Sequence, residues 1–216
     1  PREDRRYIIS ADVAEGIPGM ARSSADVIDE STWEQVAHWH GHVSPPAFAD
    51  VLGDLWAYYN WGMVAPEVNN HGLTVVSRLR DNGYSNLYVR EQTDKRTDFG
   101  WLTSTKTKLL MINALAQAVR NLDVKINSQA TLEELKSFVY LRPENGRSGN
   151  TERDTMGPQA GAYSDCVMSL AIGIALLGER KETPLTQRQR FREALGLKYK
   201  KVNVHQAGPG YGTRRC

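Results

Sequence analysis

At 216 residues, 40% of them hydrophobic and 24% charged, the chain fits one domain with a sizeable core, or one domain and a tail. No apolar run approaches the ~20 residues that span a bilayer, which excludes a helical membrane protein. Two cysteines and a formal net charge of +2 exclude a disulfide framework and a global basic field. The start, Pro1-Arg2-Glu3-Asp4-Arg5-Arg6, lacks a signal-peptide core and an initiator Met, so an excised fragment is expected. Cys166 is expected in a buried helix and Cys216 as a free thiol, and both fit a reducing cytoplasm.

Residues 7–12 read as a central strand, a short apolar run ended by the turn residues Gly16, Pro18 and Gly19. Residues 24–30 and 33–42 alternate apolar and polar positions, as antiparallel partner strands do. Ser44-Pro45-Pro46 opens a helix with Ser44 as N-cap and Phe48, Val51, Leu52, Leu55 and Tyr59 as its apolar stripe. A strand follows over 62–67. Asn69-Asn70 start a helix with Leu73, Val76 and Leu79 inward and Asn82-Gly83 at its end.

Asn86 to Arg90 reads as a strand, and Asp98-Phe99-Gly100 as the turn of a hairpin within the polar stretch 91–101. Thr103 is expected to cap a helix that runs to Asn121. Val124 to Ile126 is extended, 129–138 helical and 138–141 a strand. Residues 142–158, rich in Gly, Asn, Arg and Glu, read as a flexible stretch. The last core helix is expected over about Gln159 to Leu177, with Gly173 allowing close packing. Residues 1–178 are expected to form the domain. Residues 179–216 are expected to be a basic, flexible tail with a weak helix at 185–195. Strands first, then strands alternating with helices, argue an α/β fold: a mixed sheet, its first strands antiparallel, flanked by helices on both faces.

Three acids stand at the ends of core elements: Asp12 after Tyr7-Ile8-Ile9-Ser10-Ala11, Glu67 after Met63-Val64-Ala65-Pro66, and Asp165 before Cys166-Val167-Met168-Ser169-Leu170. Taken singly, Asp12 is equally a turn residue and Asp165 an N-terminal cap. Together, carboxylates at element ends can converge, and converging carboxylates repel unless cations sit between them. Magnesium takes oxygen ligands, and a magnesium pair is a common device for cutting phosphodiesters. The trio therefore points to a metal-dependent nuclease.

Other residues carry weaker signals. His38, His40 and His42 would share one strand face, but no Cys lies at zinc-ligand spacing, so a polar sheet face is expected. His71, near Glu67, reads either as a contact to a phosphate or a carboxylate, or as a capping residue. Arg142, Arg147 and Arg153 suit phosphate contact on a glycine-bearing loop, with a solvated loop as the alternative. Lys95, Arg96, Lys106 and Lys108 extend the same track. No phosphate-binding Gly-x-x-x-x-Gly-Lys-[Ser/Thr] loop, Gly-x-Ser-x-Gly elbow or Cys/His nucleophile pair is present.

Four segments in order resemble the nuclease domain of the tailed-bacteriophage large terminase: residues 7–16, Glu67-Val68-Asn69-Asn70-His71-Gly72, residues 86–91 with Gly100-Trp101-Leu102-Thr103-Ser104, and Asp165-Cys166-Val167-Met168-Ser169-Leu170-Ala171. The resemblance covers roughly residues 5–177. It implies a ribonuclease-H-like fold and cutting of double-stranded concatemeric DNA during genome packaging in the host cytoplasm. It implies Asp12, Glu67 and Asp165 as the catalytic, metal-binding carboxylates for Mg²⁺ or Mn²⁺. By family analogy, an ATPase motor domain precedes this one in the same polypeptide, and the portal, procapsid and small terminase subunit are partners. The isolated domain is expected to be a monomer with no membrane partner.

Two departures bear on the metal. The family often has His-Asp-Asp before the last helix, where this chain has Tyr163-Ser164-Asp165, and often Glu where this chain has Ala160. Of two ions, the second is therefore expected to bind weakly. Two other readings predict different behaviour. A structure-selective ribonuclease or junction resolvase would prefer hybrids or four-way junctions, and a docking module would hold DNA or portal without cutting.

Overall fold

Alternation of side chains along a strand lets one apolar run serve two cores. Tyr7–Asp12 (β1) does this, being buried from Tyr7 to Ala11. Ile8 joins a cluster with Ile28, Met63, Met111, Leu115, Leu170 and Ile172. Tyr7 and Ile9 join another with Ala25, Val27, Phe48, Leu52, Val75 and Leu79. The computed structural model describes residues 1–93, 96–141 and 155–179, and Pro1–Glu179 forms one compact unit.

β1 lies inside a four-stranded mixed sheet of order β3-β2-β1-β4. Ser23–Asp29 (β2) pairs antiparallel with β1 and with Gln35–Gly41 (β3), while Met63–Pro66 (β4) pairs parallel with β1. The parallel pairing needs a crossover, and Pro45–Tyr58 (α1) supplies it. Ser44 caps α1 by accepting from Ala47 N–H at 3.5 Å.

Gly72–Asp81 (α2) starts later than Asn69-Asn70, and Leu73 is 63% exposed instead of inward. Six residues at about 100° each leave Leu73 about 120° round the helix from Leu79, so the buried stripe is Val75, Val76 and Leu79. Val89–Thr93 (β5) and Arg96–Phe99 (β6) form an antiparallel hairpin. Its connection therefore falls between Thr93 and Arg96, and Asp98 and Phe99 are strand residues instead of the expected turn. The regular strand begins at Val89; upstream, Leu87 makes only an isolated parallel bridge to Val64.

Thr105–Asn121 (α3) is capped by Ser104, which exchanges a reciprocal capping box with Thr107. The expected cap, Thr103, is engaged elsewhere. Its N–H donates to Asn69 Oδ1 at 3.1 Å and its carbonyl accepts from Asn69 Nδ2 at 2.6 Å. Gln129–Ser137 (α4) leads into Phe138–Leu141 (β7), which pairs with Thr155–Pro158 (β8). The end of the stretch read as flexible is thus a strand, while residues 142–154 lie outside the described residues. Asp165–Glu179 (α5) begins six residues later than the expected Gln159, because 159–164 hold a turn with Gly161 at φ +80°. A Cβ on Gly173 would overlap Ile28 Cδ1 and stand 2.6 Å from Ser10 Oγ, so α5 presses directly on β1 and β2. Among the described residues no helix is long and apolar enough to cross a membrane. The tail expected over 179–216 lies, beyond Glu179, outside the described residues.

Candidate metal centre

Asp12 ends β1 and Glu67 follows β4, and the parallel register Ala11↔Pro66 puts them side by side. Glu67 N–H donates to the Ala11 carbonyl at 2.7 Å, which extends the pairing by one step. The chain then turns sharply. Asn70 takes a left-handed conformation (φ 48°), and a Cβ on Gly72 would strike the Glu67 carbonyl oxygen. The N-terminus of α2, where the helix dipole favours negative charge, is thereby seated against Glu67.

Asp165 approaches from the other side of the chain. The N–H of Arg22, which immediately precedes β2, donates to Asp165 Oδ2 at 2.8 Å. In the β1–β2 register Asp12 faces Ser24, so a hydrogen bond at Arg22 holds Asp165 near the same sheet end. Ser24 Oγ lies 2.9 Å from Ser169 Oγ, one turn into α5, and fixes the helix against β2.

Charge is out of balance here. Asp12 keeps one partly open face, yet crowding of protein around its carboxyl pushes its pKa well above the usual carboxylate range. A hydrogen bond to the Glu67 carboxyl and the charges of Glu67 and Asp165 push the same way, against the Val13 N–H. Asp165 is raised as well, by burial first and then by the Glu134 charge, and opposed by Arg22 and His42. Carboxylates crowded without a matching cation form a donor set suited to a hard divalent ion. Asp12 and Glu67 touch, while Asp165 stands off: among the described residues, the triplet of potential ligands lying mutually within 4.8 Å is a different one, His38, His40 and Cys166.

The remaining sequence-derived candidates divide. His71 occupies the N-cap position of α2, half-buried, and makes no side-chain cap. Lys106 is exposed and Lys108 half-buried on the first turns of α3. This helix follows Trp101, whose backbone pairs with Pro66 and Val68 on either side of Glu67. Arg96 is exposed on β6 and pairs with Asp98. Lys95, Arg142, Arg147 and Arg153 lie outside the described residues.

Two residues escaped the sequence reading. Glu134 of α4 accepts from the N–H groups of Cys166 and Val167 at 2.8 and 3.1 Å, capping α5 beside Asp165. Nothing in the sequence links α4 to α5. Arg22 was legible in principle, since it sits just beyond the strand position opposite Asp12. Cys166 is no nucleophile: burial, then the charge of Glu134, pushes its thiol far up.

No protein-family model matches the sequence, and no curated protein matches it. Solved structures do. The large terminase nuclease from thermophilic phage G20c with bound magnesium is 23% identical with a TM-score of 0.64, over 81% of this chain and 82% of that one. The large terminase nuclease domain of Thermus phage P74-26 is 24% identical with a TM-score of 0.61, over 80% of each chain. A manganese-soaked human cytomegalovirus terminase nuclease domain is a more distant likeness, 10% identical with a TM-score of 0.51. Over about four-fifths of its length, the chain therefore has the fold of the phage large terminase nuclease domains.

Proposed function

We propose that the chain is a metal-dependent endonuclease of ribonuclease-H-like fold, with helices on both faces of its sheet, that cuts double-stranded concatemeric DNA during viral genome packaging. The observation that carries this reading is the contact of the Asp12 and Glu67 carboxyls with the Asp165 charge acting on the same group. The likeness to phage terminase nucleases, one of them with bound magnesium, supports it.

Asp12 touches Glu67 and feels the Asp165 charge, and it would be shared by a pair of Mg²⁺ or Mn²⁺ ions, with Glu67 completing one and Asp165 the other. Bound there, the ions supply charge neutralisation at the phosphodiester and a water of lowered pKa. No side chain then has to act as nucleophile, in keeping with the protonated Cys166 thiol. Asp165 stands further off, and Ser164 and Ala160 are not acids, so its ion is the weaker-held of the two. Lysines at the start of α3 and the arginines of 142–153 would grip DNA phosphates, and affinity should fall steeply with salt. Portal, procapsid and small terminase subunit are the partners this role requires, and the host cytoplasm is where it would be carried out.

The test is cleavage of plasmid DNA with Mg²⁺ or Mn²⁺, beside a chelator control and Asp12→Ala. Cutting is expected only with metal and the wild-type acid. Cutting that survives either control would overturn the reading, and a preference for hybrids or four-way junctions would redirect it.

A further inference from the structure

We infer that His38, His40 and Cys166 form a second metal site, selective for a borderline-soft ion of the zinc type, which pins the edge strand β3 to the first turn of α5. The inference stands apart from the nuclease reading, because its ligands are nitrogen and sulfur instead of carboxylate oxygen.

The geometry is that of a site built from two elements. His38 and His40 are two apart on β3 and so share a face, and α5 brings Cys166 to that face. One ligand atom from each lies within 4.8 Å of the other two. His38 Nε2 and His40 Nδ1 are 3.2 Å apart. Two nitrogens bound tetrahedrally to zinc at 2.0–2.1 Å stand about 3.3 Å apart, so the rings are already at ligand spacing. A sulfur at 2.3 Å from the ion would stand about 3.6 Å from each nitrogen, which side-chain adjustment alone can reach.

The surroundings orient these ligands. His38 Nδ1–H donates to Asp26 Oδ1 at 2.8 Å, which leaves Nε2 with its lone pair toward His40. Asp26 is fully buried and also accepts from Gln35 Nε2 and Ser169 Oγ, both at 2.6 Å, so its carboxylate is fixed. A carboxylate behind a histidine in this way raises its ligand strength and locks its tautomer. Cys166 is 2% exposed while His40 is open to solvent, so water takes the fourth position on the outer side. On binding, the thiol proton leaves to solvent and the thiolate sulfur bonds the ion.

Cobalt(II) reports such a site through thiolate-to-metal charge-transfer absorption, which carboxylates cannot produce. The full chain, reduced and metal-free, should develop this band with one equivalent of Co²⁺ and lose it when Zn²⁺ is added. The band should vanish in Cys166→Ser and in His40→Asn, the latter at an exposed position where the fold is not at stake. It should persist in Cys216→Ser and Asp12→Asn. Zn²⁺ should raise the Tm of the wild type and leave that of His40→Asn unchanged. No band at stoichiometric cobalt, a band that survives Cys166→Ser, or one lost with Cys216→Ser or Asp12→Asn would overturn the inference.

Discussion

The Asp12 and Glu67 carboxyls hydrogen-bond to each other at the end of the parallel pair β1–β4. Ionising Asp12 is therefore unfavourable in the folded, metal-free chain. A carboxyl whose folded pKa is raised destabilises the fold increasingly as pH climbs from its ordinary value towards the raised one. Asp12→Asn should then raise the Tm of the metal-free protein at neutral pH. The gain should shrink as pH falls from the raised pKa towards the ordinary carboxylate value, and also when Mg²⁺ stabilises the wild type. Cleavage should drop roughly a thousandfold or more. Thermal melts against pH, with and without Mg²⁺, check the stability half; a variant less stable than wild type at every pH would refute it.

Raised carboxyls would also set the acid limit of metal binding at the proposed site. Protons compete with the ion for Asp12, so the Mg²⁺ concentration for half-maximal cutting should rise as pH falls below neutrality. Titrations at several pH values check this, and a flat response would contradict the crowding described for Asp12.

Ser164→Asp places a second acid directly before Asp165. Its position one residue before α5 favours a negative charge through the helix dipole. The variant should cut at a Mg²⁺ concentration about tenfold lower than wild type. An unchanged metal requirement would mean that the second ion does not depend on this position.

Glu134→Ala removes the acceptor for two N–H groups at the start of α5. A lost cap of this kind should destabilise by about 1–2 kcal/mol. Denaturant midpoints should fall at constant slope, and cleavage should weaken because Asp165 loses its fixed helix start.

Gly173→Ala sets two effects against each other. Alanine gains about 1 kcal/mol in helix propensity. The new methyl must displace Ile28 or Ser10, and overpacking of this kind costs about 1–3 kcal/mol. Since Ile28 and Ser10 are themselves fully buried, the net should be a loss, read as a lower Tm.

In the central sheet, β1 and β4 were legible as short apolar runs and β2 and β3 through alternating positions, and Asp12 and Glu67 stood out because each closes an apolar run. Asp12 ends one of two neighbouring parallel strands and Glu67 directly follows the other, a relationship that strand-end position alone suggests. Helix starts were less legible. Thr103 and Ser104 are both good caps by chemistry, and the choice was made by Asn69, thirty-four residues away. Leu73 was misplaced because steps of three drift round a helix that turns every 3.6 residues. The proximity of Cys166 to His38 and His40 was hidden entirely, since ligand spacing along the chain says nothing about a helix laid across a strand.

The first strand supplies Asp12 and the last described helix supplies Asp165. Order of synthesis therefore separates the two by nearly the whole domain. A ribosome-bound intermediate holds at most a partial set of acids, so a reaction that needs all three must wait until α5 has emerged and docked. On the nuclease reading proposed above, that delay is a safeguard written into the topology.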